Sequence, residues 1–195
     1  MHRSLSAVLA GLFALSLASS ARAATIDVQV TAANGSPVQD AVVYAVPAKR
    51  IPADHKVAVL DQKDRRFVPH VLPVQTGTWV EFPNSDNIRH QVYSLSPVKR
   101  FQLPLYSGKP AYPLQFPTAG TVLIGCNIHD WMSAYIVVVD TPYFAKTEAG
   151  KATLADVPAG PYTLRVWHEG MRDEPAPQPV TLGAADHPAL SFVTK

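Results

Sequence analysis

Short apolar stretches separated by turn residues recur along the chain. The stretches are rich in β-branched and aromatic residues, and Gly, Pro, Asn or Asp residues bound them. This pattern is typical of β-strands, and no amphipathic helical periodicity follows residue 23. It predicts strands over residues 26–30, 41–46, 78–82, 90–94, 121–125, 134–139, 162–167 and 190–193.

The composition agrees with this pattern. The chain has 18 Pro and 10 Gly among 195 residues, which excludes a helix-rich fold. Many short strands with frequent turn signals indicate sandwiches or barrels. The expected fold class is therefore all-β.

The first 23 residues have the pattern of a secretory signal. His2 and Arg3 precede an apolar run, and Ala21-Arg22-Ala23 has the small-x-small pattern of a cleavage site. We therefore expect a signal peptide over residues 1–23, cleavage after Ala23, and export to the periplasm. No later segment of the sequence is apolar for long enough to span a bilayer, so no membrane span is expected.

The net charge gives no indication of a charged partner. Without the predicted signal and its two arginines, 15 basic residues stand against 15 acidic ones. A near-neutral chain offers no electrostatic attraction to nucleic acid or to an anionic membrane. Neither is expected as a partner.

The one cysteine lies in a short segment rich in metal-binding side chains. Cys126 follows the predicted strand 121–125, and His129 and Met132 come three and six residues later. Two imidazoles and a thiolate in a plane, with a weak axial thioether, are the ligands of a mononuclear electron-transfer copper site. His90 is the natural second imidazole. The expected ligands of one Cu(I)/Cu(II) ion are His90, Cys126, His129 and Met132.

Other interpretations of the same residues stay open. A lone cysteine can be a buried apolar residue, a free thiol or half of an intermolecular bridge. His90 can be a strand-end histidine bonded to backbone, and Met132 can be ordinary core packing. Zinc can also occupy these residues in vitro, because affinity alone does not decide metal identity.

Residues 56–140 resemble the cupredoxins. The segment from Val80 to His90 matches that family's pattern of strand, Asn, Asp and first histidine ligand. The two-residue gaps between Cys126, His129 and Met132 resemble the short ligand loop of amicyanin-type members. The whole chain resembles bacterial periplasmic proteins of the methylamine-utilisation or plastocyanin-like kind. The resemblance implies a Greek-key sandwich and copper ligation by the four residues named above.

The segments on either side resemble a second module. Residues 28–43 have the pattern of strand, Asn34-Gly35 turn and strand, like the first hairpin of carboxypeptidase-regulatory-like, transthyretin-type modules. The continuation of such a module comes only at residues 147–167. We therefore expect residues 24–50 and 141–195 to form a small transthyretin-like β-sandwich in which the cupredoxin domain is inserted, or to which it is joined. The alternative is one extended sandwich with extra strands at each end.

Two residues depart from the cupredoxin pattern. Gln91 stands where cupredoxins commonly have an Asn that braces the two ligand loops. Asp130 stands where amicyanin-type loops have proline, and its carboxylate could raise the basicity of a neighbouring imidazole. Asn84 and Asn87 either donate hydrogen bonds to the thiolate or its loop, or stabilise a turn.

The function expected from the resemblance is that of a periplasmic type 1 copper protein carrying one electron. A redox partner would dock near His129 and Trp131, provided that Trp131 is exposed rather than part of the core. The alternative is a copper-binding module for buffering, delivery or sensing without redox turnover. An enzyme with catalytic residues is not expected, because four protein ligands leave no open coordination position. His70 and His168 lack ligand spacing and are expected to be ordinary surface histidines.

Overall fold

The computed structural model describes residues 23–54, 56–110 and 112–194. The predicted signal peptide lies outside this part of the chain except for Ala23. No described residue is helical, which confirms the all-β fold class. No helix long and apolar enough to cross a membrane occurs within the described ranges.

The strands are short, and they are numbered here in chain order. They are β1 (Ala24–Ala32), β2 (Val42–Pro47), β3 (Val57–Val59), β4 (Asp61–Lys63), β5 (Arg66–Val68), β6 (Val71–Gln75), β7 (Trp79–Glu81), β8 (Tyr93–Ser94), β9 (Phe101–Gln102), β10 (Leu114–Gln115), β11 (Gly120–Gly125), β12 (Ser133–Val139), β13 (Phe144–Lys146), β14 (Lys151–Val157), β15 (Gly160–Trp167), β16 (Gln178–Leu182) and β17 (Ala189–Thr194).

Two sheets are built from the two ends of the described chain. One sheet has the order β14-β1-β17 and the other β13-β2-β15-β16. Alternate residues of β1, such as Ile26, Val28 and Val30, point into the core between these sheets, where Leu164 and Phe192 also lie. We call this pair of sheets the flanking sandwich. The predicted domain boundaries and the transthyretin-like identity stay predictions.

The central residues form a second pair of sheets. One sheet has the order β6-β12-β11-β8-β9, the other has the order β10-β7-β3, and β4 and β5 form a separate hairpin. Inward side chains of β11 and β12, including Val122, Ile124 and Ile136, pack with Phe82 and Phe116 in an apolar core. We call these sheets the central sandwich.

The two sandwiches share a buried seam. Val137 and Val139 point away from the central core and pack against Val42 and Trp167 of the flanking sandwich. This contact explains the uninterrupted apolar run at the end of β12, because residues on both faces of that strand are buried. The strand therefore belongs to two cores at once, and it anchors the central sandwich to its neighbour.

One predicted strand differs from the structure. The pattern predicts a strand over residues 90–94, but only Tyr93 and Ser94 form β8. His90 instead makes an isolated bridge with Tyr106, and its amide donates to the Tyr106 carbonyl at 3.0 Å. The side chain of His90 is fully buried, and burial alternates along residues 90–94, so these residues have a strand-like pattern although residues 90–92 lie outside β8.

A buried hydroxyl group joins the two chain segments that form the flanking sandwich. The Thr147 hydroxyl donates to the Val38 carbonyl at 2.6 Å and accepts from the Ala41 amide at 2.9 Å. The Thr147 side chain has no exposed surface. Both backbone groups therefore depend on this one side chain for these hydrogen bonds.

We predict that Thr147→Val lowers the free energy of unfolding by about 2 kcal/mol, because an isosteric methyl leaves buried polar groups unpaired. The measurement is urea unfolding followed by circular dichroism. Thr181→Val, in the exposed part of β16, is the matched control and should change stability by less than about 0.5 kcal/mol. Equal effects of the two substitutions would contradict the tethering role.

Candidate metal centre

Strand β11 places the one cysteine. Alternation along this strand points Val122 and Ile124 inward, and Cys126, which follows directly, continues on the same side. Cys126 is 2% exposed and forms no disulfide. Its sulfur is therefore held at the end of a sheet strand, inside the apolar core.

The loop after Cys126 is short and closes on itself. The Met132 amide donates to the His129 carbonyl at 3.0 Å, and β12 begins at the next residue, Ser133. Ser133 pairs directly with Gly125, the residue before the cysteine. Because adjacent antiparallel strands hold both ends of the loop, its side chains are confined to one end of the central sandwich.

His90 comes from a remote segment and faces the cysteine. Its Nδ1 atom lies 3.9 Å from the Cys126 sulfur, and its Nε2 atom lies 2.7 Å from a carboxylate oxygen of Asp86. A carboxylate accepts hydrogen bonds, so Nε2 carries the proton in a neutral His90 ring. The lone pair of Nδ1 is then available on the side of the sulfur.

His129 completes the cluster. Its ring centroid lies 5.0 Å from that of His90, and one ligand atom each of His90, Cys126 and His129 lies within 4.8 Å of the others. The Nδ1 atom of His129 is buried and has no hydrogen-bond partner. Nearly all buried polar atoms in proteins are paired, so a buried nitrogen without a partner, in a cluster with a thiol and a second imidazole, requires an explanation.

A metal ion fits this arrangement. Two nitrogen lone pairs and a sulfur converge in a buried space, and a bound cation would satisfy the His129 nitrogen and favour the thiolate form of Cys126. Within the described residues, His90, Cys126 and His129 form the group of histidine, cysteine and acidic side chains that is close enough to hold a metal.

Met132 lies in the same apolar core as Cys126. Its side chain is 2% exposed and packs in the apolar core that contains Cys126. Its position directly before Ser133 keeps it at the ligand end of the sheet. Its role as the axial ligand stays a prediction.

The two asparagines of the His90 loop differ in role. Asn84 is 5% exposed, and its amide nitrogen donates to the Ile88 carbonyl at 2.8 Å and to the Tyr106 carbonyl at 3.0 Å. Its oxygen accepts from the Asp86 amide at 3.0 Å. Asn84 therefore stabilises the turn that carries His90, and both donors of its amide are used there rather than on the thiolate. Asn87 is exposed.

An asparagine at position 91 would be expected to brace the two ligand loops. Gln91 braces a different part of the molecule. Its amide nitrogen donates to the Leu103 carbonyl at 3.0 Å, just after β9. This contact fixes the segment after His90 to the edge of the five-stranded sheet. Asp130 is exposed, and its tuning of His129 stays a prediction.

The two other histidines that the sequence singles out lie in separate contacts. The Nδ1 atom of His70 lies 3.1 Å from the Ser133 carbonyl oxygen, and its Nε2 atom lies 3.0 Å from a Glu169 carboxylate oxygen. His168 accepts a hydrogen bond from the Gly170 amide at 3.1 Å. Neither joins the metal-binding group found in the described part of the chain.

Trp131 is exposed and is not part of a core. Its side chain is 65% exposed, and its ring centroid lies 5.0 Å from that of His129. Ile128, in the same loop, is 54% exposed. An apolar surface therefore borders the half-buried imidazole of His129.

Asp86 belongs to the cupredoxin-like pattern of residues 80–90, but the sequence assigns it no role of its own. The available signal was an acidic residue in a loop, four positions before a candidate histidine ligand. Burial would raise the pKa of Asp86, but hydrogen bonds from the Arg65 amide, the His90 ring and the Asp64 amide outweigh that effect and lower it. The carboxylate form therefore faces His90.

Comparisons with known proteins give structural neighbours only. No family model and no curated protein matches the chain. A reduced, Cu(I) variant of amicyanin is 24% identical, with a TM-score of 0.40, and the match covers 51% of this chain and 99% of amicyanin. A purple cupredoxin from Nitrosopumilus maritimus is 19% identical, with a TM-score of 0.38, over 42% of this chain and 99% of that protein.

An enzyme is also among the neighbours. The copper-containing nitrite reductase from Thermus scotoductus SA-01 is 24% identical, with a TM-score of 0.41, over 48% of this chain. The match spans only 26% of the nitrite reductase chain.

We predict that Asn84→Asp lowers the free energy of unfolding of the metal-free protein by about 2 kcal/mol, because a carboxylate cannot donate to the Ile88 and Tyr106 carbonyl groups. The measurement is urea unfolding at neutral pH. Asn87→Asp makes the same chemical change at an exposed position of the same loop and should be nearly neutral. A neutral Asn84→Asp would show that the loop does not depend on these bonds.

Proposed function

We propose that this chain is a mononuclear copper protein that carries one electron at a time. His90, Cys126 and His129 would bind the metal, and Met132 would be a weaker fourth donor. The observation that carries the proposal is the buried, unpartnered Nδ1 atom of His129 in a side chain that offers one ligand atom within 4.8 Å of those of Cys126 and His90. Bound copper would supply the one-electron redox couple.

The kind of donor favours copper. Thiolate and thioether ligands select soft ions such as Cu(I), whereas imidazole also suits Cu(II). A set with one thiolate, two imidazoles and a nearby thioether matches trigonal electron-transfer sites rather than the four strong ligands of structural zinc. The spacing of Cys126, His129 and Met132 in one loop is consistent with this geometry.

The protein frame favours fast electron exchange. Cys126 is fixed by β11, and the backbone of His90 exchanges two hydrogen bonds with Tyr106, each 3.0 Å long. Cu(I) and Cu(II) prefer different coordination, so ligands that cannot move far reduce the rearrangement between the two states. The chain's contribution is therefore to hold three donors in place and to exclude water from them.

His129 is the proposed point of electron entry and exit. His90 has no exposed surface, whereas His129 is half-buried and borders the exposed side chains of Trp131 and Ile128. A redox protein that docks on this apolar rim would approach the metal through one imidazole. We propose further that the mature chain begins after Ala23 and works in the periplasm.

We predict that Cu(II) added to the mature protein produces an intense visible thiolate-to-copper band. Cys126→Ser should abolish the band, and His90→Ala should weaken copper binding and change the spectrum. Met132→Leu should keep the band and change the electron paramagnetic resonance spectrum. Met171→Leu, at a partly buried position packed against the core of the flanking sandwich, is the matched control and should leave both spectra unchanged.

Electrochemistry separates the proposal from its alternative. A reversible one-electron wave is expected for the electron carrier. Tight Cu(I) binding without reversible cycling would contradict it and would favour copper buffering, delivery or sensing. Retention of the visible band in Cys126→Ser would contradict thiolate ligation itself.

We also predict that Trp131→Ser slows electron self-exchange between Cu(I) and Cu(II) protein without changing the reduction potential. The reason is that two molecules must bring their His129 edges together, and the apolar rim promotes that encounter. The measurement is NMR line broadening in mixtures of the two states. Trp79→Ser, at a 36% exposed position on β7, is the control, and an equal slowing there would contradict the assignment of the surface.

A further inference from the structure

Asp86 accepts three hydrogen bonds beside the candidate metal centre. One oxygen accepts from the Asp64 amide at 2.7 Å. The other accepts from the Arg65 amide at 3.0 Å and from Nε2 of His90 at 2.7 Å. The Asp86 side chain is 11% exposed and that of His90 is not exposed. The carboxylate therefore links a turn of the hairpin to the histidine.

The turn at the other end of this link is strained. Asp64 and Arg65 connect β4 to β5 and have φ angles of 54° and 56°. Side chains at such left-handed positions crowd the backbone, and two-residue hairpins usually have Asn, Asp or Gly there, so Arg65 is the unusual residue of the turn. Asp86 binds the amides of both strained residues, so the turn and the carboxylate hold each other in place.

The hairpin is also attached to the segment that leads to His90. The Gln62 amide donates to the Pro83 carbonyl at 3.0 Å, and the Ser85 amide donates to the Gln62 carbonyl at 2.9 Å. The Ser85 hydroxyl donates to Asp61 at 2.8 Å. Asp86 therefore approaches His90 from a backbone segment that is fixed on both sides.

We infer that Asp86 is a positioning residue that fixes the His90 imidazole and, through it, favours the more highly charged state of the bound metal. The metal part of this inference rests on the proposed function. A carboxylate on Nε2–H orients the ring, keeps the proton away from Nδ1, and raises the basicity of Nδ1 as a ligand. A more basic ligand stabilises Cu(II) more than Cu(I).

Two roles of the Asp86 carboxylate would have different consequences. If Asp86 only stabilises the turn, its loss destabilises the fold without a specific effect on the His90 ring. If Asp86 positions His90, its loss changes the ring's tautomer and the balance between the two copper states.

The first experiment uses metal-free protein. Nitrogen-15 NMR of the wild type at neutral pH should show the His90 ring with the proton on Nε2, and Asp86→Ala should give a mixture of tautomers. Asp173→Ala removes a carboxylate at an exposed position after β15, outside the His90 loop and its hairpin, so it should keep the wild-type tautomer. An unchanged tautomer in Asp86→Ala would overturn the inference, whatever the protein's affinity for copper.

The second experiment uses copper. Asp86→Asn should weaken Cu(II) binding by about 10- to 100-fold, the usual effect of losing a hydrogen-bond partner of a metal-binding histidine. Cu(I) binding should weaken less. Each tenfold excess in the weakening of Cu(II) binding over that of Cu(I) binding raises the reduction potential by about 59 mV. Equal weakening of both states would overturn the electronic part of the inference.

A background variant protects both experiments against loss of folding. Asp64→Gly together with Arg65→Gly removes the positive-φ strain while both backbone amides stay in place. This pair should keep the wild-type His90 tautomer and copper affinities, and Asp86→Asn and Asp86→Ala added to it should still show their effects. Failure of the wild type to bind copper would count against the proposed function, and the tautomer measurement would still decide the role of Asp86.

Discussion

A buried imidazole nitrogen without a hydrogen-bond partner is the constraint on which the metal centre depends. Nδ1 of His129 lies in a water-excluded end of the central sandwich, together with a cysteine sulfur and a second imidazole. Burying unpaired polar groups costs free energy, so such a cluster is costly to maintain in the metal-free state. A bound cation removes that cost, which joins the stability of this end of the molecule to its proposed redox role.

The rest of the molecule explains how this cluster is kept in place. Strands β11 and β12 hold both ends of the ligand loop, and Asn84 and Asp86 stabilise the loop that carries His90. The flanking sandwich packs on Val137 and Val139, toward the far end of β12 from the ligand loop. It therefore stiffens the central sheet and leaves Trp131 exposed beside His129.

The sequence predicted the parts of the fold whose side chains alternate, and it failed where local signals were weak. The apolar run in β12 indicated a buried strand, but Pro73 concealed β6, which tolerates a proline because it lies at a sheet edge. The β4–β5 hairpin was missed because Arg65 occupies a turn position that usually contains Gly.

The candidate site shows the same division. Ligand spacing brought Cys126 and His129 to attention, because donors in one loop are close in sequence as well as in space. The contact of Asp86 with His90 and with the turn amides depends on the path of a strained hairpin, which no sequence pattern reveals.

X-ray absorption at the copper edge of the loaded protein tests the central claim most directly, because it counts the atoms bound to the metal. The structure predicts one short copper–sulfur distance and two imidazole nitrogens. A first shell of nitrogen and oxygen atoms without sulfur would contradict it.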